Sequence, residues 1–294
     1  MTHAAGRGRA LGALVLGGIF LGCSPILVRI SHIGPIATAF WRLALALVPL
    51  TAFISNAGRT GTTGRMPATP ADHLTAALPG IFLAGDLVAW HISLHLTSVT
   101  NSTLFANMAP VIVTLASWLF LRQKISRAFI AGLALSIAGV VVLNGGTFST
   151  GAGSHMRGDA VALLAACFYA GYFVMLSRAR AVFSTSVVML WSTIAAGICI
   201  LPISLAFEPA FVPHAIAGWL ILLALGWVVH AGGQGLITFS LAWLPPAFSS
   251  LTLLIQPVVA AVLARFILDE PLGLTQIAGG AIVIAGILLA RRTA

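Results

Sequence analysis

The sequence predicts an all-α integral membrane protein with ten transmembrane helices, arranged as two inverted five-helix repeats with both termini cytoplasmic. Three observations lead to this prediction. Charged residues make up only 7% of the 294 residues, whereas about 25% is usual in soluble domains. Apolar stretches of about 20 residues, long enough to cross a bilayer as a helix, recur along the chain. Several features of the first half also recur in the second half at a nearly constant distance.

The composition indicates which solvent surrounds the chain. Hydrophobic residues make up 59% of it and the mean hydropathy is +1.05, so a lipid bilayer is the expected surrounding. A net charge of +9 would suggest nucleic-acid binding in a soluble protein. In a membrane protein it indicates Lys and Arg in cytoplasmic loops, and no nucleic-acid partner is predicted. Cys23, Cys167 and Cys199 lie in apolar stretches without the spacing of a metal site or a disulfide framework.

Ten apolar segments are predicted to be helices, because no water in the hydrocarbon region can satisfy an open backbone. The first repeat, residues 1–146, holds spans near 10–30, 35–55, 76–95, 101–121 and 127–144. The second repeat, residues 147–294, holds spans near 158–178, 186–206, 215–240, 247–267 and 274–291. The first apolar run continues past Cys23 to Arg29, which favours a spanning helix over a cleaved signal peptide. Most connections are short, which predicts that consecutive helices are neighbours.

The basic residues predict how the bundle is oriented. With the N-terminus inside, eleven of the 15 Lys and Arg residues fall in predicted inner segments and three in outer segments. Arg42 lies within a span. Since Lys and Arg collect on the cytoplasmic side, both termini are expected to be cytoplasmic. The two longer connections, residues 56–75 and 145–157, are expected to be a flexible loop and the linker between the halves.

A shift of 147 residues brings the two halves into register. The pairs that coincide are Pro110 with Pro257, Gly132 with Gly279, and Gly139 with Gly286. An odd number of spans in each half places corresponding loops on opposite faces of the membrane. The charges agree with this, because RQKISR carries three positive charges whereas its counterpart carries Arg265 beside Asp269 and Glu270. Inverted repeats of this kind are typical of transporters that work by alternating access around a midplane site.

Three pieces of the chain resemble the EamA family of the drug/metabolite transporter superfamily. They are ATAFWRLALA in the second span, SVTNSTLFANMAPVIVTLASWLFLRQKIS in the fourth, and the stretch from Pro257 to Gly286. The resemblance covers nearly the whole chain and implies export of a small metabolite across a bacterial inner (plasma) membrane. Within the family, the chain is similar to bacterial aromatic amino-acid exporters. One departure is that Gln123 replaces, in the first half, the acidic loop residue that is present as Glu270 in the second.

Polar and aromatic side chains at helical spacing predict a substrate cavity, because polar groups inside spans are costly unless they serve a function. Asp86 and Trp90 share one face of the third span, and Trp227, His230 and Gln234 share one face of the eighth. The predicted cavity residues are Trp90, His91, Asn107, Tyr169, Tyr172, Trp227, His230, Gln234, Ser249, Thr252 and Gln256. The same stripes could instead be hydrogen-bonding contacts between helices.

Two charges and three prolines complete the predicted site. Arg42 and Asp86 are the charged residues placed well inside spans. They could pair with each other, or Arg42 could attract a carboxylate while Asp86 carries a proton. Pro25, Pro110 and Pro257 are predicted helix breaks, since proline removes a backbone donor and clashes with the preceding turn. The Gly-rich run 232–235 is a further candidate bend.

The predicted function is export of small metabolites, with amino acids of aromatic or apolar character as the favoured substrates. Export of a nucleoside or a cationic drug, and a non-transport membrane role, remain alternatives. No Ser/His/Asp set, paired carboxylates or P-loop sequence is present, so neither an enzyme activity nor a cofactor is predicted. His91 and His95, four residues apart, are too few ligands to predict a metal site. The oligomeric state is left open, and a monomer would be sufficient.

Overall fold

The computed structural model describes residues 2–59, 64–97, 99–145, 155–267 and 273–292. All regular secondary structure within these ranges is helical. Nine segments in them are long and apolar enough to cross a membrane, and the helix Arg127–Leu143 is a shorter apolar tenth. The predicted all-helical, multi-pass membrane fold is therefore confirmed. Most of the predicted linker between the halves, together with Asp269 and Glu270, lies outside the described residues.

The first five spans are built from seven helices. The first span comprises α1 (Thr2–Gly22) and α2 (Ser24–Arg29), followed by α3 (Pro35–Arg59) and α4 (Pro70–Leu96). The fourth span comprises α5 (Val99–Ala106) and α6 (Ala109–Leu121), and the fifth is α7 (Arg127–Leu143). At the start of α4, the Thr69 side chain accepts a hydrogen bond from the backbone N–H of Asp72, and a capping box thus begins this span.

The last five spans include a long π-helix. The sixth and seventh spans are α8 (His155–Arg180) and α9 (Thr185–Phe207). The eighth comprises α10 (Ile216–Leu223), the π-helix Ala224–Gln234 and α11 (Gly235–Ser240). The ninth comprises α12 (Pro246–Thr252) and α13 (Ile255–Ile267), and the tenth is α14 (Leu274–Arg291). π-helices are rare and occur most often at functional sites, which directs attention to the eighth span.

The helices break next to each proline for which a break was predicted. In the fourth span, residues 107–108 separate α5 from α6, and α6 begins one residue before Pro110. In the ninth span, an equivalent gap at residues 253–254 precedes Pro257. Pro25 follows the short interruption at Cys23. Each ring clashes with the carbonyl four residues earlier and supplies no N–H, which favours a break. The effect is not obligatory, because Pro49, Pro79 and Pro202 lie inside continuous helices. The gaps in the two halves agree with the 147-residue register to within one residue.

The main packing joins helices of different halves. α4 packs against α8 and α9, α3 packs against α9 and the π-helix, and α7 packs against α14. The third span therefore meets the sixth and seventh, just as the eighth meets the first and second. Consecutive helices were predicted to be neighbours; several of them do touch, such as α3 with α4 and α13 with α14, but their contacts are minor beside those between the halves. A short loop brings only two helix ends together, and the helices can diverge from there and pack elsewhere.

Glycines allow α7 and α14 to approach closely. A Cβ atom on Gly132 would lie 2.6 Å from the carbonyl oxygen of Gly286, and one on Gly279 would lie 2.7 Å from that of Gly139. Ser136 Oγ also donates to the Val283 carbonyl at 3.4 Å. Small residues permit this backbone contact between membrane helices. The glycines that matched in sequence thus face one another across the contact between the fifth and tenth spans.

Candidate functional site

Arg42 lies at the centre of a group of polar side chains deep inside the bundle. Its Nη1 donates to Ser24 Oγ at 3.2 Å, while its Nε is buried and has no hydrogen-bond partner. Arg42 interacts electrostatically with Tyr172, Tyr169 and Asp86. We refer to this group and its polar neighbours as the central cluster, which comprises Ser24, Arg42, Asp86, Tyr169, Tyr172, His230, Gln234 and Gln256. Six of the ten spans contribute to it.

Several members of the central cluster lie deep in the bundle and still keep accessible surface. Arg42, Asp86 and Tyr169 are surrounded by protein, yet none of them is fully buried. This combination is what side chains beside an internal space would show. Arg42 and Asp86, both within the described ranges, form no direct ion pair there, and the predicted pairing is absent from this arrangement.

The sixth span forms an aromatic wall beside Arg42. The rings of Tyr169 and Tyr172 lie 6.0 Å apart between centroids, and Phe173 lies 5.1 Å from Tyr169 and 5.8 Å from Tyr172. Gln234 Nε2 donates to the Tyr172 hydroxyl, which fixes the buried phenol. Tyr169 in turn interacts with the side chain of Gln256. Tyr172 and Phe173 are fully buried, so Tyr169 is the ring of this wall that keeps accessible surface. The two tyrosine hydroxyls contact glutamines of the eighth and ninth spans.

His230 and Trp227, predicted on one stripe of the eighth span, occupy different surroundings. His230 is buried, and its Nε2 lies 2.9 Å from Thr193 Oγ1 of α9. Trp227 is 49% exposed, and its indole N–H donates to the carbonyl of Leu45 at 3.2 Å. The prediction that Trp227, His230 and Gln234 share one face assumed an α-helix. The hydrogen bonds of a π-helix span one residue more, so the angular spacing of its side chains differs. Trp227 consequently lies apart from the central cluster.

The third span brings Trp90 and His91 to the same level as Asp86. His91 is buried, and its Nδ1 lies 2.5 Å from the carbonyl oxygen of Leu87 in its own helix. The rings of Trp90 and His91 are in edge contact, with centroids 5.0 Å apart. Trp90 is half-buried. Of these residues, Trp90 and Asp86 are the ones that keep accessible surface.

The remaining predicted residues lie near the broken helices. Asn107 stands in the gap between α5 and α6 and is half-buried. Thr252 Oγ1 donates to the Phe248 carbonyl at 2.9 Å, so this hydroxyl is satisfied within its own helix. Ser249 Oγ is buried without a hydrogen-bond partner. The predicted residues of the ninth span therefore differ in their surroundings. Gln256 contacts the central cluster, whereas the hydroxyl of Thr252 is hydrogen-bonded within its own helix.

Sequence reasoning missed two partners of the central cluster. Ser24 holds Arg42, and Thr193 holds His230. The signal for Ser24 was present, because it directly precedes Pro25 at the break in the first span. Thr193 gave no signal, since a single threonine in an apolar span is most often bonded to a neighbouring helix.

A second group of contacts, which the sequence analysis did not predict, joins two helices at one end of the bundle. The Glu208 carboxylate accepts hydrogen bonds from the backbone N–H of Ile36 at 2.7 Å and of Ala37 at 2.5 Å. Trp41 Nε1 donates to the Phe211 carbonyl at 2.8 Å. We call Glu208, Trp41, Phe211 and their helix ends the Glu208 clamp. It joins the second and seventh spans at the face predicted to be outside.

Residues 8–145 and 156–292 each match the EamA-like transporter family. The chain belongs to this family. The matched segments cover the described helices of both halves, so the assignment rests on the whole bundle and not on one motif.

Relatives with transporter names support the assignment. The chain is 28% identical over 220 residues to the uncharacterised transporter YxxF of Bacillus subtilis, covering 74% of this chain and 70% of that one. It is 24% identical over 281 residues to an uncharacterised transporter of Archaeoglobus fulgidus, covering 95% of each. It is 30% identical over 225 residues to a probable terminal-alkyne amino-acid exporter of Streptantibioticus cattleyicolor, covering 73% of each.

A solved structure shares the fold. A protein of known crystal structure superimposes with a TM-score of 0.79, and the match covers 98% of each chain. The sequences are 20% identical. At this level of identity the likeness extends to the arrangement of the helices and not to what is transported.

Proposed function

We propose that this EamA-like protein exports amino acids, with a preference for aromatic or apolar side chains, by alternating access around the central cluster. The observation that carries the proposal is the state of Arg42. A guanidinium inside a membrane span is costly unless its donors are used, and here the buried Nε has no partner. A ligand that supplies an acceptor at this point would remove that cost.

The chemistry of the cluster fits the three parts of an amino acid. A carboxylate is the best partner for the guanidinium of Arg42, because charge-assisted hydrogen bonds are stronger than neutral ones. Asp86 supplies a negative charge for the ammonium group. The half-buried ring of Tyr169, packed against Tyr172 and Phe173, offers a surface on which an apolar or aromatic side chain can stack. The cluster thus has one group for each end of the molecule and a wall for its side chain.

The comparison with a named exporter supports the same substrate class. The Streptantibioticus cattleyicolor relative carries the name of an amino-acid exporter. A dedicated cation site is less favoured, because Arg42 stands close enough to Asp86 for the two charges to interact. A nucleoside would leave the charges of both residues without a counterpart.

Counterflow in proteoliposomes tests the proposal. Vesicles are loaded with unlabelled phenylalanine, and entry of labelled phenylalanine is followed with and without excess tryptophan. We expect protein-dependent accumulation that tryptophan abolishes. Arg42→Gln is expected to weaken exchange about tenfold or more, since a hydrogen bond to a charged group contributes about 1.5–3 kcal/mol. Arg42→Lys should retain part of the activity, and Arg178→Gln, an exposed change at the end of α8, should retain all of it.

Folding is separated from binding by two further measurements. Each variant is compared by size-exclusion chromatography and thermal unfolding, and Arg42→Gln is combined with Asp86→Asn. If the loss came from an unbalanced buried charge alone, the double variant would regain exchange. Exchange by Arg42→Gln at the native level would contradict the role of Arg42. Failure of every amino acid to exchange in vesicles that hold folded protein would direct the search to nucleosides and cationic drugs.

A further inference from the structure

A groove of about 890 Å³ lies between α6 and α7, away from the central cluster. Its wall is mainly apolar, and Leu115, Leu119 and Ile130 are each more than half exposed there. The volume lies within the range of sites that hold small molecules in proteins. Because α6 and α7 face different partners, α8 and α14 respectively, the space between them opens at the surface of the bundle.

The groove has a positively charged end. α6 stops at Arg122, whose φ of 52° is left-handed and turns the chain away from the helix axis. The residues up to Ser126 are not helical, and the exposed side chains of Arg122 and Lys124 both line the groove. Gln123 lies between them, and its Oε1 is buried without a hydrogen-bond partner. Acidic residues are lacking among the side chains described as lining it.

Trp118 marks the level at which the groove passes from apolar to polar. This residue is 61% exposed, and it precedes Arg122 by about 6 Å along the helix, at 1.5 Å per residue. Tryptophan is enriched at the boundary between hydrocarbon and headgroups of a membrane. The apolar walls on the membrane side of Trp118 therefore lie at the depth of acyl chains. Arg122 and Lys124, on its other side, lie at the depth of phosphates.

We propose that the α6–α7 groove is a binding site for an anionic phospholipid that carries hydroxyls in its headgroup, such as phosphatidylglycerol. An acyl chain would lie along Leu115, Leu119 and Ile130. The phosphate would be bound by Arg122 and Lys124, and a headgroup hydroxyl would donate to Oε1 of Gln123. The proposal does not depend on which substrate is exported, because no member of the central cluster lines the groove.

The repeat supplies an internal contrast. The 147-residue shift places Asp269, Glu270 and Pro271 where the first half has Arg122, Gln123 and Lys124. The same turn thus carries two positive charges in one half and two negative charges in the other. Positive residues next to the bilayer attract anionic lipids, whereas acidic ones repel them. Only the sequence of the first half suits an anionic headgroup.

Native mass spectrometry of the full-length protein tests the site. The detergent-purified protein is titrated with equimolar dioleoyl phosphatidylglycerol and dioleoyl phosphatidylcholine, with glycerol 3-phosphate as a soluble competitor. We expect tighter binding of phosphatidylglycerol that glycerol 3-phosphate does not displace. Arg122→Gln combined with Lys124→Gln should weaken that binding about tenfold. Ile130→Trp, which fills the apolar part without changing charge, should also reduce it.

Arg7→Gln combined with Arg9→Gln is the matched control, because it removes the same charge at the start of α1. This control should bind phosphatidylglycerol as the native protein does. An equal loss in both double variants would mean that net charge alone governs binding, and the proposal would be overturned. No preference over phosphatidylcholine in the native protein would overturn it as well. Displacement by glycerol 3-phosphate would mean a site for free phosphate and not for lipid.

Discussion

The contact between α7 and α14 and the central cluster are both built where the two halves meet, yet they treat the repeat differently. Across the helix contact, Gly132 faces Gly286 and Gly139 faces Gly279, so each half contributes the same residues. In the central cluster, Arg42 has no equivalent. Residues 43–50 and 193–200 follow the same order of buried, half-buried and exposed positions. In this alignment of the two halves, the position that corresponds to Arg42 is Ser192. Ser192 Oγ bonds within its own helix.

This difference shows that helix packing and substrate recognition place different demands on the repeat. A helix contact needs only close-fitting surfaces, and two copies of one surface serve well. An amino acid is not symmetric, so a site that distinguishes its two charged ends must differ between the halves. The halves differ most in the spans that reach the centre. The first span is broken where the sixth is continuous, and the eighth is π-helical where the third is an α-helix.

The largest effect is expected from filling the symmetric contact. Gly279→Leu would place side-chain atoms against the backbone of Gly139 and Leu143, where a single Cβ would already lie 2.3 Å from the Leu143 nitrogen. Since backbone cannot move aside cheaply, we expect the free energy of unfolding to fall by about 3 kcal/mol. Thermal unfolding in detergent measures this.

Gly197→Leu is the control for that substitution. A Cβ on Gly197 would meet nothing within 4 Å, and the equivalent position in the first half is Leu47. The control should unfold within a degree or two of the native protein, on the order of what a neutral surface change causes. Similar losses in both variants would mean that the contact between α7 and α14 does not depend on its glycines.

A smaller effect is expected inside the asymmetric centre. Tyr172→Phe removes the acceptor of Gln234 and leaves a buried amide unpaired, which costs about 1–3 kcal/mol. Combining it with Gln234→Leu removes both partners, so the double variant should be more stable than Tyr172→Phe alone. Chemical unfolding of the three variants in detergent gives the coupling. An additive double variant would show that the two side chains act independently.

The Glu208 clamp offers a test at one end of the bundle. Glu208→Gln keeps the shape but removes the charge at the first turn of α3, an effect of about 1 kcal/mol or less. We expect faster hydrogen exchange at the amides of Ile36 and Ala37. At the opposite end, α9 begins with Ser184, whose side chain caps its own helix, and exchange there should not change. Equal acceleration at both helix starts would argue against a local clamp.

The smallest effect is expected for Trp227→Phe. The substitution removes the indole N–H, so the Leu45 carbonyl loses one hydrogen bond, worth about 1 kcal/mol, at a half-exposed position. Exchange of labelled phenylalanine should remain close to the native rate. Trp90→Phe, the matched change at a half-buried position near Asp86, should slow exchange more. A stronger effect at Trp227 would place the transport path along the π-helix surface.

The spans and their breaks could be predicted because they depend on local properties. Twenty apolar residues suffice to define a span, and a proline such as Pro110 favours a break because it removes a backbone donor, although Pro49, Pro79 and Pro202 lie inside continuous helices. Arg42 could be singled out for the same reason, since a charge in an apolar span is costly wherever it lies. The position of Trp227 could not be predicted, because the prediction assumed 3.6 residues per turn along the whole eighth span, part of which is a π-helix.

Side-chain contacts that depend on the tertiary arrangement also could not be predicted from the sequence. Glu208 lies at the end of α9, and nothing in its neighbourhood along the chain indicates that it binds the start of α3. The neighbours of each helix could not be inferred from loop length either. Loops limit the distance between helix ends, whereas the packing of α4 on α8 depends on surfaces that are far apart in sequence.

The interlocking of the halves has a consequence for biosynthesis. α4 finds its main contacts on α8 and α9, and α7 finds its main contact on α14, the last helix of the chain. During translation the first five spans therefore enter the membrane before their partners exist. Until α14 has been synthesised, α7 lacks its main partner and the bundle cannot close. Truncation before α14 would leave α7 without a partner and expose the nascent protein to quality-control proteases.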